Sequence, residues 1–237
     1  MTGKSILAAL LFSFATFTQV LAQCSCVETG NCSTPINDYG VYDGYVDVTV
    51  NGPNDLAVSP LTSLCFTISH TWIGDLSVSL TTPGGLEYLV MADASNTYGG
   101  CGTQQDNIEV CIVPGTFKPL TNNTEYACNS APCSVGTCCL TGNWTMPCGG
   151  VSSPLTNAIP APNCDLNDFN VPGHPANGRW TISILDVCNM DNGYLENFTL
   201  NFAGGTQVCY ACEADGGTLD SIEIVSCFGD NDLFLDL

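Results

Sequence analysis

Two histidines, His70 and His174, are the only imidazoles in this chain of 237 residues, so any histidine-based general base must be one of them. A serine hydrolase needs a nucleophile, a base and an orienting acid. Neither histidine is accompanied by a Gly-x-Ser-x-Gly elbow or by a subtilisin-like Gly-Thr-Ser segment. His70 stands at the end of an apolar run, where a turn is its expected hydrogen-bond partner. His174 stands between Gly173 and Pro175 and is expected to be exposed. Cysteine–histidine catalysis fares no better, because 16 cysteines, an even number in an oxidising compartment, leave no obvious free thiol. The expectation is a chain without catalytic residues.

Metal chemistry has firmer candidates. Asp75 closes the run Ile-Ser-His-Thr-Trp-Ile-Gly-Asp, while Asp186, Asn189 and Asp191 gather in one later loop. Hard oxygens converging from loops suit calcium, which takes roughly 6–8 of them. The same residues equally suit strand capping and Asx turns with Asn192 and Gly193. The spacing is not that of an EF-hand. The cysteines between 128 and 148 lack the paired Cys-x-x-Cys units of a zinc site. Three tryptophans raise the question of sugar stacking. Trp180 lies in phase with Ile182 and Ile184 and belongs to a core, Trp72 follows a strand end, and Trp144 is left as the plausible exposed platform.

The elements that must position these residues are strands. Apolar residues alternate with period two at Val46, Val48 and Val50; Leu64, Phe66 and Ile68; Leu76, Val78 and Leu80; Ile108, Val110 and Ile112; Trp180, Ile182 and Ile184; and Phe198, Leu200 and Phe202. Between them fall Asn51-Gly52-Pro53, Pro83-Gly84-Gly85, Pro114-Gly115, Pro172-Gly173 and Asp191-Asn192-Gly193, which supply the φ angles that chain reversals need. Helical periodicity is absent. The pattern predicts an all-β fold, a jelly-roll-like antiparallel β-sandwich.

The alternation lapses at 128–164, a stretch rich in Cys, Pro, Gly and Asn. It reads as a disulfide-rich insertion, held by cross-links in place of a core. Candidate disulfide residues are Cys65, Cys101, Cys111, Cys128, Cys133, Cys138, Cys139, Cys148, Cys164 and Cys188. Spacing leaves their pairing open, except that the neighbours Cys138 and Cys139 are expected to take different partners.

At the N-terminus, Lys4 precedes an apolar run over 6–17 that is too short to span a bilayer. Val20 and Ala22 supply the small residues of a cleavage site, so residues 1–22 read as a signal peptide and the mature chain as extracellular, secreted or on the cell surface. No later segment reads as a membrane helix. A Cys-rich segment follows at 23–39, then the main domain at 40–205. Residues 206–237 read as a linker and the opening of a truncated Ig-like or PKD-like β module. With 23 acidic residues against 3 basic ones the formal net charge is −20. Such a surface repels nucleic acid and anionic membranes and attracts cations. Sequons stand at Asn31, Asn122, Asn143 and Asn197.

Two blocks carry a family likeness. Residues 68–76 read Ile-Ser-His-Thr-Trp-Ile-Gly-Asp-Leu, followed by Leu-Thr-Thr-Pro-Gly-Gly at 80–85. Residues 177–182 read Asn-Gly-Arg-Trp-Thr-Ile, followed by Asp186 and by Asp-Asn-Gly-Tyr-Leu-Glu-Asn-Phe-Thr-Leu at 191–200. In order and spacing, these blocks resemble the P domain, or P/Homo B domain, over residues 40–205. That resemblance implies a jelly-roll-like sandwich that packs against a subtilisin-type serine endopeptidase domain, and some members of the family bind calcium. No such catalytic domain is present in these residues, so protease chemistry does not transfer with the likeness. The functional expectation is a structural or interaction module with calcium as its candidate cofactor. The alternatives are an accessory domain of a proteolytic system, with a protease domain as partner, and a carbohydrate-binding module that takes a polysaccharide.

Overall fold

The computed structural model describes residues 24–27, 32, 34–92, 106–120, 134–136, 139–148 and 158–206. The segments read as a signal peptide and as the opening of a C-terminal β module, with Cys101, Cys128, Cys133 and Cys138, lie outside them. Among the described residues ten strands form two facing sheets: β1 (Cys24–Ser25), β2 (Thr34–Ile36), β3 (Val41–Val48), β4 (Leu61–His70), β5 (Leu76–Thr81), β6 (Glu87–Met91), β7 (Ile108–Ile112), β8 (Leu140–Trp144), β9 (Gly178–Asp186) and β10 (Gly193–Phe202). One sheet runs β1-β10-β4-β7-β8, with β2 also paired to β10, and the other runs β3-β9-β5-β6. The helical elements among the described residues are two short 3-10 turns, at Ile73–Asp75 and Leu166–Phe169.

The alternation explains which side faces in. Leu64, Phe66 and Ile68 of β4, Val110 and Ile112 of β7, Phe198 and Leu200 of β10, Val46 of β3, Val78 and Leu80 of β5, and Ile182 and Ile184 of β9 all enter one core. Trp180 is fully buried there, donating its indole N–H to the Ala176 carbonyl at 2.9 Å. Its ring meets those of Phe169 and Phe202 edge-on at 6.3 and 5.5 Å, a geometry that aromatic quadrupoles favour.

Three expectations are corrected. The stretch 128–164 is not a coreless insertion: β8 lies within it and pairs parallel to β7, from Ile108 against Leu140 to Ile112 against Trp144, and Leu140, Trp144, Met146 and Ala161 join the core. The parallel partner comes after a long connection, as parallel pairing requires. Its Thr-Gly-Asn centre shows no alternation to read. Trp144, expected as an exposed platform, is 8 % exposed, whereas Trp72 is half-buried. The segment 23–39 is built into the sandwich, since β1 and β2 both pair with β10 and Cys26 and Ile36 are fully buried.

Disulfides among the described residues join Cys26 to Cys32, Cys65 to Cys111 and Cys148 to Cys164. Cys139 and Cys188 are disulfide-bonded as well. The Cys26–Cys32 bridge was outside the expected set. Such cross-linking is typical of chains that live in oxidising compartments. No helix among the described residues is long and apolar enough to cross a membrane.

Candidate functional site

The two motif blocks meet at one end of the sandwich. β4 ends at His70, the chain turns through Ile73–Asp75, and β5 begins at Leu76. Leu76 pairs with Asp186 at the end of β9, and Gly193 at the start of β10 pairs with His70. Gly193 has to be glycine, because a Cβ there would collide with the Ser69 carbonyl oxygen. Residues 116 positions apart thus become neighbours: His70 Nε2 lies 3.3 Å from Asp186 Oδ2, with both side chains 0 % exposed.

The other atoms of this pair are engaged too. His70 Nδ1 lies 2.9 Å from the Trp72 carbonyl oxygen and 3.1 Å from the Trp72 nitrogen, while Nε2 faces Asp186. The second oxygen of Asp186 accepts the Cys188 N–H at 3.0 Å. The His70 main chain is held by Asn107, whose Oδ1 accepts its N–H at 3.1 Å and whose own N–H donates to its carbonyl at 3.0 Å. His70 therefore does pin a turn, as expected. His174 is half-buried rather than exposed.

Asp75 is the anomaly of the cluster. It is 1 % exposed, and its Oδ1 is a buried oxygen with no hydrogen-bond partner. Burial raises its pKa to about 7, helped by the negative charges of Asp186, Asp191 and Asp38 and opposed by His70. A carboxyl in that position holds its proton up to neutral pH.

Of the four candidate calcium ligands, Asp75 and Asp186 are buried. Asp191 is half-buried and accepts the Thr71 hydroxyl at 2.7 Å, and Asn189 is exposed. Among the described residues no group of three or more His, Cys, Asp and Glu side chains is placed to hold a metal ion. The arrangement turns both Asp186 oxygens toward N–H donors and leaves Asp75 Oδ1 without one. It fits an acid–imidazole cluster that closes the end of the sandwich.

A second polar assembly carried no motif beyond two sequon asparagines. On the outer face of the six-stranded sheet, a cleft of about 310 Å³ is lined by Thr67, Glu109, Asn143, Asn197 and Thr199 around the Cys65–Cys111 disulfide.

No family model matches the chain, and no curated protein matches it. Among solved structures the chain is similar to an agarase, AgWH50C, at 16% sequence identity and a TM-score of 0.27. The match covers 82% of this chain and 24% of the agarase, so the chain spans about a quarter of that protein's length.

Proposed function

We propose that the chain is a non-catalytic interaction module of a secreted or cell-surface protein, of the P-domain type that accompanies subtilisin-like endopeptidases. The observation that carries this reading is the sealed His70–Asp186 pair. Its side chains are wholly buried and its nitrogens and oxygens are spent on internal partners. An imidazole that no substrate reaches is a structural group. The meeting of the two motif blocks through His70, Asp186, Thr71 and Asp191 supports the family reading.

The same end of the sandwich supports a protein partner. Tyr39 and Met190 are exposed, Met190 to 87 %, and both hold left-handed backbone, with φ of 56° and 85°. Bulky residues avoid that region unless the fold imposes it. Asp38 ties the two loops by accepting the Met190 N–H at 3.2 Å, and Asp191 follows Met190 directly. An apolar centre flanked by carboxylates matches a protein surface that presents Lys or Arg around an apolar residue. The companion endopeptidase domain is the proposed occupant.

The test takes the purified mature chain alone and with a subtilisin-type catalytic domain. The reading expects no cleavage of casein by the chain alone. It also expects binding to the catalytic domain that weakens with salt and is lost in Met190→Asp. Cleavage by the chain alone overturns the non-catalytic reading; absence of binding overturns the protease-associated one.

A further inference from the structure

We propose that the outer face of the six-stranded sheet is a binding cleft for a neutral saccharide, a site separate from the docking end and independent of it. Strand register builds the cleft. Thr199 of β10 pairs with Cys65 of β4, Cys65 with Cys111 of β7, and Cys111 with Asn143 of β8. One step along, Asn197 pairs with Thr67, Thr67 with Glu109, and Glu109 with Thr141. Two adjacent rows of outward-facing residues therefore cross four strands, a width on the order of 14 Å at the usual strand spacing.

The chemistry of these rows is uniform. The rows hold two carboxamides, three hydroxyls and one carboxylate, with Thr199 only 6 % exposed, and the disulfide lies between them. Within the described residues no hydrogen bond engages the hydroxyls of Thr67 and Thr199 or the carboxamide of Asn143. Glu109 is held by one oxygen, which accepts the Ser134 N–H at 2.8 Å and its hydroxyl at 3.0 Å. Gly142, at φ 107°, adds no side chain to the floor. The volume of about 310 Å³ is at the lower end for ligand sites.

Neutral donors and acceptors in rows match the alternating hydroxyls of a sugar, each of which both donates and accepts. The polarisable disulfide offers a floor to the C–H face of a ring. Charge selects against the competitors: with Glu109 in the cleft and a formal net charge of −20, phosphates and acidic sugars are repelled. Phe66 lines the cleft but its side chain belongs to the buried core, so among the described residues no aromatic ring is offered to a sugar and affinity falls in the millimolar range.

The test is amide-resolved NMR of the ¹⁵N-labelled mature chain, produced in a bacterial periplasm so that the Asn143 and Asn197 sequons stay bare. Cellohexaose, maltohexaose and mannohexaose are titrated separately, with hexagalacturonate as the anionic control. The proposal expects at least one neutral oligosaccharide to give saturable shifts centred on Thr67, Glu109, Asn143 and Thr199, and hexagalacturonate to give none there. Asn143→Ala and Thr67→Val should each weaken binding by about fivefold, the worth of one neutral hydrogen bond, with unchanged Tm. Met190→Asp should bind sugar as the parent does. Silence of these amides toward all three neutral oligosaccharides overturns the proposal, as does undiminished binding by both cleft variants.

Discussion

At the loop end, His70, Asp75 and Asp186 are buried and almost every polar atom is spent on an internal partner. On the outer sheet face, Thr67 and Asn143 have open hydrogen-bonding groups beside a cleft of about 310 Å³. The first region holds the residue types associated with catalysis and metals, the second amides, hydroxyls and the single carboxylate of Glu109 around a disulfide. The contrast teaches that residue type marks reactivity, whereas accessibility and satisfied valence decide whether that reactivity is available. A histidine–carboxylate pair at 0 % exposure presents neither group to the surface.

The largest expected break of this contrast is Asp186→Ala. It leaves the His70 Nε2–H and the Cys188 N–H buried without acceptors. The expected loss is about 3–5 kcal/mol, read as a fall in Tm by circular dichroism.

Asp75 gives the next effect, through pH. Its folded pKa of about 7 lies above the unfolded value of 3.8, so the folded state holds the extra proton. Its contribution is full below pH 4 and is lost as pH rises toward and through 7, by at most about 4 kcal/mol. Urea melts of the parent against Asp75→Asn should therefore diverge with rising pH, the variant becoming the more stable near pH 8. Repeating the series with calcium and with a chelator separates proton from cation: a proton-holding Asp75 expects the two curves to coincide.

Replacing both Cys65 and Cys111 by Ser should cost about 2–4 kcal/mol and leave the loop end intact, as judged by the His70 imidazole resonances. Thr67→Val and Asn143→Ala should move stability by no more than about 0.5 kcal/mol in a thermal scan. A larger loss in either would make the sheet face structural and erase the distinction between the two regions.

Legibility in the sequence followed the strength of the alternation. The segments at Val46, Leu64, Leu76, Ile108, Trp180 and Phe198 became β3, β4, β5, β7, β9 and β10, because a sheet with one buried face imposes period two on its residues. β6 escaped notice because Leu89, Val90 and Met91 are all buried: Leu89 packs outward on Ala92 and Ala158, so both faces are covered. β1 and β2, of two and three residues, are too short to show a period.

Residue types and spacing alone determined the all-β class, the strand-forming runs, the core placement of Trp180 and the oxidised cysteines, since each depends on local pattern or on composition. Only the tertiary structure decided that Trp144 is buried, that β8 runs parallel to β7, that Asp186 seals His70, and that Thr199, Cys65, Cys111 and Asn143 form one row. Those outcomes depend on which distant strands become neighbours and in what register. Register between strands as far apart in sequence as β4 and β10 is set by the packing of the whole core, which no local window contains.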